Sequence, residues 1–311
     1  MKVAIIGQGF GRSAHLPAWQ SDPRATVLGV FTRQDTPAVL ARSDVDIVSL
    51  AVPPAAQPAL IEAAAGKHIF CEKPLAADLA SAARLKPGGQ FGIDLFFPEI
   101  PAWQEARKRL PSLGPLRHAH LSWRLESRAF RFGATGWKTN PAEGGGTLVN
   151  FASHTFHYLE WLFGPIASLT GQDSGGHGAD VQAGADLLLR FPNGLTATLS
   201  VAADAYQGSG HRLEVYGQHG SLVLSNNSGD FARGFRLQVA LKDQPWQDCT
   251  PPDVEGQGDG RVPLVSRLVS RLLDAIENGH PMRPGLAEAL RVQRLLEAAR
   301  SVLEQRIWMD L

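Results

Sequence analysis

Val3-Ala4-Ile5-Ile6-Gly7-Gln8-Gly9-Phe10-Gly11-Arg12 decides the fold. A short apolar run ends in glycines, and a helical stretch over Ala14–Gln20 follows. That order reads as a buried parallel strand, a tight turn and the start of a crossover helix. In such a turn the first glycine lets the chain double back and the second lets a pyrophosphate approach the backbone. The helix N-terminus then offers amide donors and a positive dipole to the phosphates. A glycine pair also occurs in purely structural strand-to-helix turns; its place between a first strand and a first helix favours binding. The third fingerprint position holds Arg12, with Gly11 beside it to restore close helix–strand packing. Arg12 itself reads either as a phosphate contact or as a solvated side chain.

Working outward, Thr26–Thr32, Asp46–Val52, His68–Cys71 and Phe91–Phe97 read as further strands, with a helix over Pro58–Ala65 ended by Gly66. Pro53 and Pro54 close the third strand. Alternating strands and helices imply a doubly wound parallel sheet. Residues 33–45 are too few for a complete strand–helix unit, so this Rossmann-like half is abbreviated. After about Leu113 the texture changes. Leu116–Leu125, Ala185–Phe191, Leu195–Ala202, Arg212–Tyr216, Ser221–Leu224 and Phe235–Leu241 read as strands, some joined by short turns such as Pro192-Asn193-Gly194. They predict a mainly antiparallel sheet. Helices are expected over Pro263–Asn278 and Leu286–Gln305, with Pro251–Gly260 a loop. The expected class is α/β: a dinucleotide-binding domain at 1–114 and an α+β substrate-binding and oligomerisation domain at 115–311.

Thirty basic residues balance thirty acidic ones, which removes the electrostatic footprint of a nucleic-acid binder and any basic run suited to an anionic membrane. No stretch approaches the ~18 apolar residues of a membrane span. Cys71 and Cys249 are too few for a disulfide framework, and the N-terminal run reads as a strand rather than a signal peptide. The expectation is a cytoplasmic protein.

Two further blocks carry a resemblance. One is Ala65-Gly66-Lys67-His68-Ile69-Phe70-Cys71-Glu72-Lys73-Pro74-Leu75. The other runs from Gly136-Trp137-Lys138 through Gly144-Gly145-Gly146-Thr147-Leu148-Val149-Asn150 to Ser153-His154. Together with the glycine loop, they resemble the Gfo/Idh/MocA oxidoreductases (glucose-fructose oxidoreductase and inositol dehydrogenase relatives), in the order that family shows. The resemblance implies an NAD(P)-binding Rossmann domain, a second domain holding a small sugar-like or cyclic substrate, and a homo-oligomer, dimer or tetramer. By position, Lys73 matches the lysine at the reacting oxygen and His154 the histidine acting as general acid or base. Asn150 stands where the family usually has aspartate, and is expected to complete the catalytic set by orienting substrate while His154 alone carries the proton. The sequence also departs after Phe91–Phe97, with Asp94-Leu95-Phe96 in place of the usual Asn-x-Arg.

The chemistry agrees with these assignments. Hydride transfer at an alcohol carbon needs a group to take the hydroxyl proton, and histidine titrates in a suitable range. A lysine beside the same oxygen stabilises negative charge. If 144–163 is helical, Asn150, His154, His157 and Trp161 share one face. The other readings are a core histidine for His154, a turn lysine for Lys73, and packing for His157. Asparagine neither ionises nor makes a good zinc ligand, so no metal is expected.

Cofactor contacts are expected from Gly7, Gly9, Phe10, Gly11 and Arg12, from Thr32 and Arg33, and from Pro53, Glu72 and Lys73. Arg33 at the end of the second strand suits a 2′-phosphate, pointing to NADP over NAD, with Asp35 as a rival carboxylate. Substrate contacts are expected from Asp94, Trp137 and His157, Asp94 being equally readable as a surface carboxylate at a strand end. A dinucleotide-binding sensor and an NAD-dependent glycosidase are the alternative functions.

Overall fold

The computed structural model describes residues 1–174, 182–256 and 258–311. It divides into two compact units, Met1–Phe96 with Ala142–Gly144 and Glu255–Gln293, and Phe97–Pro141 with Gly145–Val254 and Arg294–Leu311.

The first unit is built on a five-stranded sheet of β1 (Lys2–Ile6), β2 (Thr26–Phe31), β3 (Ile47–Leu50), β4 (His68–Cys71) and β5 (Phe91–Ile93). The order is β2-β1-β3-β4-β5 and every pairing is parallel. Val3, Ala4, Ile5, Ile47, Val48 and Leu50 are fully buried, as expected for strands covered on both faces. The connections are α1 (Leu16–Gln20), α2 (Thr36–Leu40), α3 (Gln57–Ala63) and α4 (Leu79–Ala83). A widened π turn, Gly11–His15, precedes α1, so the helix expected at Ala14 begins at Gly11. The five-residue α2 is what the short segment between β2 and β3 allows. The strand expected over Phe91–Phe97 ends at Ile93; Leu95 N bonds back to Ile93 O and Phe97–Glu99 forms a 3₁₀ turn.

The second unit starts with α5 (Pro101–Arg109), β6 (Leu116–Arg124), α6 (Arg128–Phe132) and α7 (Thr147–Phe163). Its strands continue as β7 (Ser168–Asp173), β8 (Gly184–Arg190), β9 (Thr196–Ala202), β10 (Gly210–Gly217), β11 (Gly220–Asn226), β12 (Arg236–Leu241), β13 (Gln247–Asp248) and β14 (Met309–Asp310). The sheet order is β13-β12-β11-β10-β6-β9-β8-β7-β14. Among the described residues of this sheet, β6 and β9 run parallel and the other pairs are antiparallel. β10 shows the half-buried alternation: His211, Leu213 and Val215 point inward, Arg212, Glu214 and Tyr216 outward. α7 packs on β8 and β9, and α5 on β11 and β12. β7, β13 and β14 were not anticipated, being short or polar. The loop expected over 251–260 has no helix or strand among its described residues before Arg261; Gln257 lies outside them.

Two long helices follow, α8 (Arg261–Asn278) and α9 (Leu286–Gln305). α8 belongs to the first unit and packs on α1 and the π turn. Arg24 fastens it. The Arg24 guanidinium donates to Asp22 (2.8 Å), Asp274 (2.6 Å), Glu277 (3.0 Å) and Ser270 Oγ (2.9 Å). Both cysteines are free thiols. No helix among the described residues is long and apolar enough to cross a membrane.

The Arg24 hydrogen bonds hold the Asp22 carboxyl well below the usual aspartate range. A depressed folded-state value contributes stability that is complete above the unfolded value of about 3.9 and fades as pH falls below it. Asp22→Asn is therefore expected to lower stability at neutral pH and to flatten the acid branch below about pH 4. Denaturant titrations from pH 2 to 7 check this; parallel curves for the two proteins would contradict it.

Candidate active site

The turn after β1 is shaped by proximity to β3. Gly7 has φ +120°, and a Cβ there would sit 2.1 Å from Ala51 O, so no other residue fits. A Cβ on Gly11 would meet Ile5 Cγ2 at 3.2 Å and Ala51 Cβ at 3.4 Å. Gly11 thus performs the close helix–strand packing that Arg12 cannot. Gly9 faces open space, the condition for a ligand to reach the backbone. Arg12 is exposed and donates to Gln8 Oε1, whose Nε2 in turn donates to Val30 O (3.2 Å).

At the end of β2, Asp35 accepts from Thr32 N (2.9 Å) and Thr32 Oγ1 (2.6 Å). The hydroxyl bond first, then the amide bond, holds its carboxyl below the ordinary range. Asp35 is thereby committed to its own turn. Arg33 is exposed and lines a cleft of about 490 Å³ with Thr36, Pro37, Leu40 and Leu60. Bare backbone at Gly9, a helix start behind it and a cation at the far strand end together fit a dinucleotide.

The carboxyl ends of β3, β4 and β5 bring together groups that the sequence reading had left separate. His15, inside the π turn, is fully buried. Its Nδ1 lies 2.9 Å from Ser49 Oγ and its Nε2 3.1 Å from Glu72 Oε1. Trp19 Nε1, which can only donate, reaches the same Ser49 oxygen at 2.9 Å. Burial pushes the His15 value down to about 4, so the ring is neutral at pH 7. With Glu72 ionised and able only to accept, His15 Nε2–H donates to it, Ser49 donates to His15 Nδ1, and Trp19 donates to Ser49. Asp94 is 1% exposed and hydrogen-bonds to Glu72, which corrects the reading of it as a surface carboxylate. Burial first, then the Glu72 charge, raises its carboxyl well above the ordinary range. Lys73, half-buried, follows Glu72 directly, and the turn is held by Gln57 Nε2 donating to Pro74 O (2.6 Å). Pro53 is half-buried after β3. Phe10 packs edge-on against His15 at 5.5 Å and carries the Arg261 guanidinium 4.6 Å above its ring.

Among the described residues, His15, Glu72 and Asp94 are the one trio close enough to surround an ion, their candidate atoms lying within 4.8 Å of one another. Lys73 and Arg261 already bring positive charge to this cluster. His15 and Ser49 were missed in the sequence. The available signal was a histidine just behind the glycine loop in an otherwise apolar stretch.

In the second unit, α7 carries Asn150, His154, His157 and Trp161. His154 is 5% exposed, with its ring 4.9 Å from Phe97. Phe97 also touches Trp103, Trp123, Tyr158 and His211. His211 stacks on Trp123 at 4.3 Å and shares a 2.8 Å hydrogen bond with the Tyr158 hydroxyl. Burial drives His211 down to about 3, leaving it neutral in an aromatic core. His157 is half-buried. Trp161 lies under the Arg107 guanidinium at 4.5 Å, so one face of it is already covered.

The triple glycine serves close packing. A Cβ on Gly145 would lie 2.1 Å from Trp137 O. The turn holding Trp137, itself half-buried, is drawn in by Gly145 N donating to Asn140 O (2.9 Å) and Gly146 N to Lys138 O (2.9 Å). Asn150 joins this arrangement by donating from Nδ2 to Gly146 O (2.9 Å) and Lys138 O (3.2 Å). A carboxylate has no proton to give to either carbonyl, which accounts for asparagine at this position.

Comparison with known proteins adds two family matches. Residues 25–87 match the oxidoreductase family with an NAD-binding Rossmann fold, and residues 103–223 match the GFO/IDH/MocA C-terminal domain. An uncharacterized oxidoreductase of Synechocystis sp. is 29% identical, covering 99% of this chain and 95% of its own length. Levoglucosan dehydrogenase of Pseudarthrobacter phenanthrenivorans is 23% identical, over 100% of this chain and 98% of its own. Among solved structures, levoglucosan dehydrogenase with NADH and levoglucosan superposes with a TM-score of 0.86 at 20% identity, covering 100% and 99% of the two chains. Aldose-aldose oxidoreductase from Caulobacter crescentus superposes at 0.85 and 19%, with the same coverage.

Asn150→Asp turns two donated bonds into contacts between an anion and carbonyl oxygens. It is expected to destabilise the protein by about 1–3 kcal/mol, less in acid, where the new carboxyl is protonated and can donate again. Denaturation midpoints at pH 4 and pH 8 measure this; an unchanged midpoint at pH 8 would refute the donor role.

Proposed function

Because the chain belongs to the Gfo/Idh/MocA oxidoreductase family, we propose that it transfers hydride between NAD(P) and a CH–OH carbon of a small sugar-like or cyclic substrate. The observation that carries this reading is the joint presence of Lys73 and His154 in a chain whose Rossmann unit keeps the bare-backbone turn at Gly7–Gly11. The relatives named above, a levoglucosan dehydrogenase and an aldose-aldose oxidoreductase, support a sugar-like class.

When bound, the nicotinamide supplies or takes up the hydride. The chain's residues do the rest. Gly7, Gly9 and Gly11 would keep side chains away from a pyrophosphate, and the open backbone at Gly9 would receive it, the Arg12 and Ser13 N–H groups being spent on Gly9 O. Arg33 takes the adenosine 2′-phosphate, so NADP is the favoured cofactor, with NAD the other candidate. The Lys73 ammonium stabilises negative charge on the reacting oxygen. His154 takes the hydroxyl proton in oxidation and returns it in reduction. Trp137 and His157 are proposed to contact substrate, while the burial of Asp94 beside Glu72 takes it out of direct contact; the long strands of the second unit are proposed to support a homo-oligomer.

Incubating the protein with NADP or NAD and a panel of sugars and inositols, while following reduced nicotinamide, tests the reading. His154→Ala is expected to lower kcat by about 10²–10⁴ and Lys73→Ala to lower kcat/KM by about 10²–10³. Activity retained by both would remove the assignment.

Arg33→Ala is expected to weaken NADPH binding by about ten-fold or more, the scale of a lost charge-assisted hydrogen bond. NADH affinity should move little. Calorimetric titration of both cofactors reads the difference; equal losses would count against the 2′-phosphate contact.

A further inference from the structure

The buried end of the β4–β5 pair holds more acid than it has charge to balance. Glu72 follows β4 and Asp94 follows β5; the Asp94 amide donates to Cys71 O at 2.9 Å, drawing both carboxyls to one level. The two side chains hydrogen-bond to each other. Two carboxylates have no proton to donate, so that bond requires one to be a carboxylic acid. Three observations say which. Glu72 lies 3.1 Å from His15 Nε2, and its side chain is 17% exposed, so of the two carboxyls it is the better solvated and keeps the charge. Asp94 is 1% exposed. Its Oδ1 has no hydrogen-bond partner, a far smaller cost for the carbonyl oxygen of a neutral acid than for half of a buried anion.

We propose that Glu72 and Asp94 form a one-proton acid pair at neutral pH, with the proton on Asp94, and that this pair is a positioning unit for Lys73. The pair presents one negative charge, on Glu72, to the positive groups that face it. Those are Lys73, next in sequence, and Arg261 of α8, itself paired with Asp259 at 2.5 Å. His15 faces it neutral from the π turn, and the Cys71 thiol of β4 is held protonated by burial. One negative charge beside Lys73 favours its ammonium form without binding it so tightly that its charge is unavailable to a substrate oxygen. Loss of the shared proton would add a second negative charge and strengthen that hold. The consequence for Lys73 rests on the oxidoreductase reading; the protonation state does not.

The test therefore uses readouts that need neither substrate nor cofactor. An acid whose folded-state value is raised loses relative stability as pH rises from about 4, because the unfolded chain ionises while the folded chain does not. Asp94→Asn cannot ionise and is nearly isosteric. Its denaturation midpoint relative to wild type is expected to climb between pH 4 and pH 8. A relative midpoint that falls over that range would mean Asp94 is a stabilising anion and would overturn the proposal. The infrared spectrum gives an independent reading: a protonated-carboxyl stretch at neutral pH, lost in Asp94→Asn and titrating at lower pH in Glu72→Gln. The amide bands of the same spectra report folding. Absence of that stretch from folded wild type would also overturn the pair. If the dehydrogenase activity fails while the stretch is present, the proposed function falls and the acid pair stands. In active protein, Asp94→Asn should further displace the alkaline limb of the kcat/KM profile; an unmoved limb would remove the link to Lys73.

Discussion

The carboxyl ends of β3, β4 and β5 are buried, so the polar groups placed there must satisfy one another. Ser49, Glu72 and Asp94 stand one strand apart, and His15 reaches them from the π turn. This constraint orders the site. An ionised Glu72 can only accept, which sets the direction of the bonds back through His15 to Ser49. Burial first, and the Glu72 charge after it, hold the Asp94 carboxyl above its ordinary range. Lys73 leaves the same strand end on a turn clasped by Gln57. A single side chain changed in this chain would alter donors and acceptors several residues away, because the low-dielectric surroundings offer no water as a substitute.

The second unit places its histidine by different means. His154 is seated by aromatic packing around Phe97, with Tyr158 and the His211–Trp123 stack behind it. The glycines before α7 let the Trp137–Lys138 turn lie against the helix start, and Asn150 stitches that turn in place. One unit therefore fixes its buried polar groups with hydrogen bonds and charge, the other with ring packing and close backbone contact.

Much of this was legible in the sequence. The strand–glycine–helix opening, the alternating first half and the strand-rich second half are local patterns, and the strands appear close to where periodicity put them. Lys73, Asn150 and His154 came from motif order. What was not legible depends on tertiary contact. Asp94 read as a possible surface group because nothing local reveals that β5 stops at Ile93 and turns its next residue inward. His15 and Ser49 looked like a helix residue and a strand residue until parallel pairing set them 2.9 Å apart. Arg12 seemed to break the fingerprint, whereas Gly11 takes over its packing role. Strands β7, β13 and β14 are too short or polar to announce themselves.

The placement of α8 has a consequence for how the chain comes into being. The first unit takes its covering helix from Arg261–Asn278, and Arg24 is anchored to side chains some 250 positions later. During synthesis the first sheet is made early, yet the apolar flank of α1 stays uncovered until that distant helix leaves the ribosome. The sheet therefore completes its covering only through a contact of very long sequence separation, the kind that slows folding.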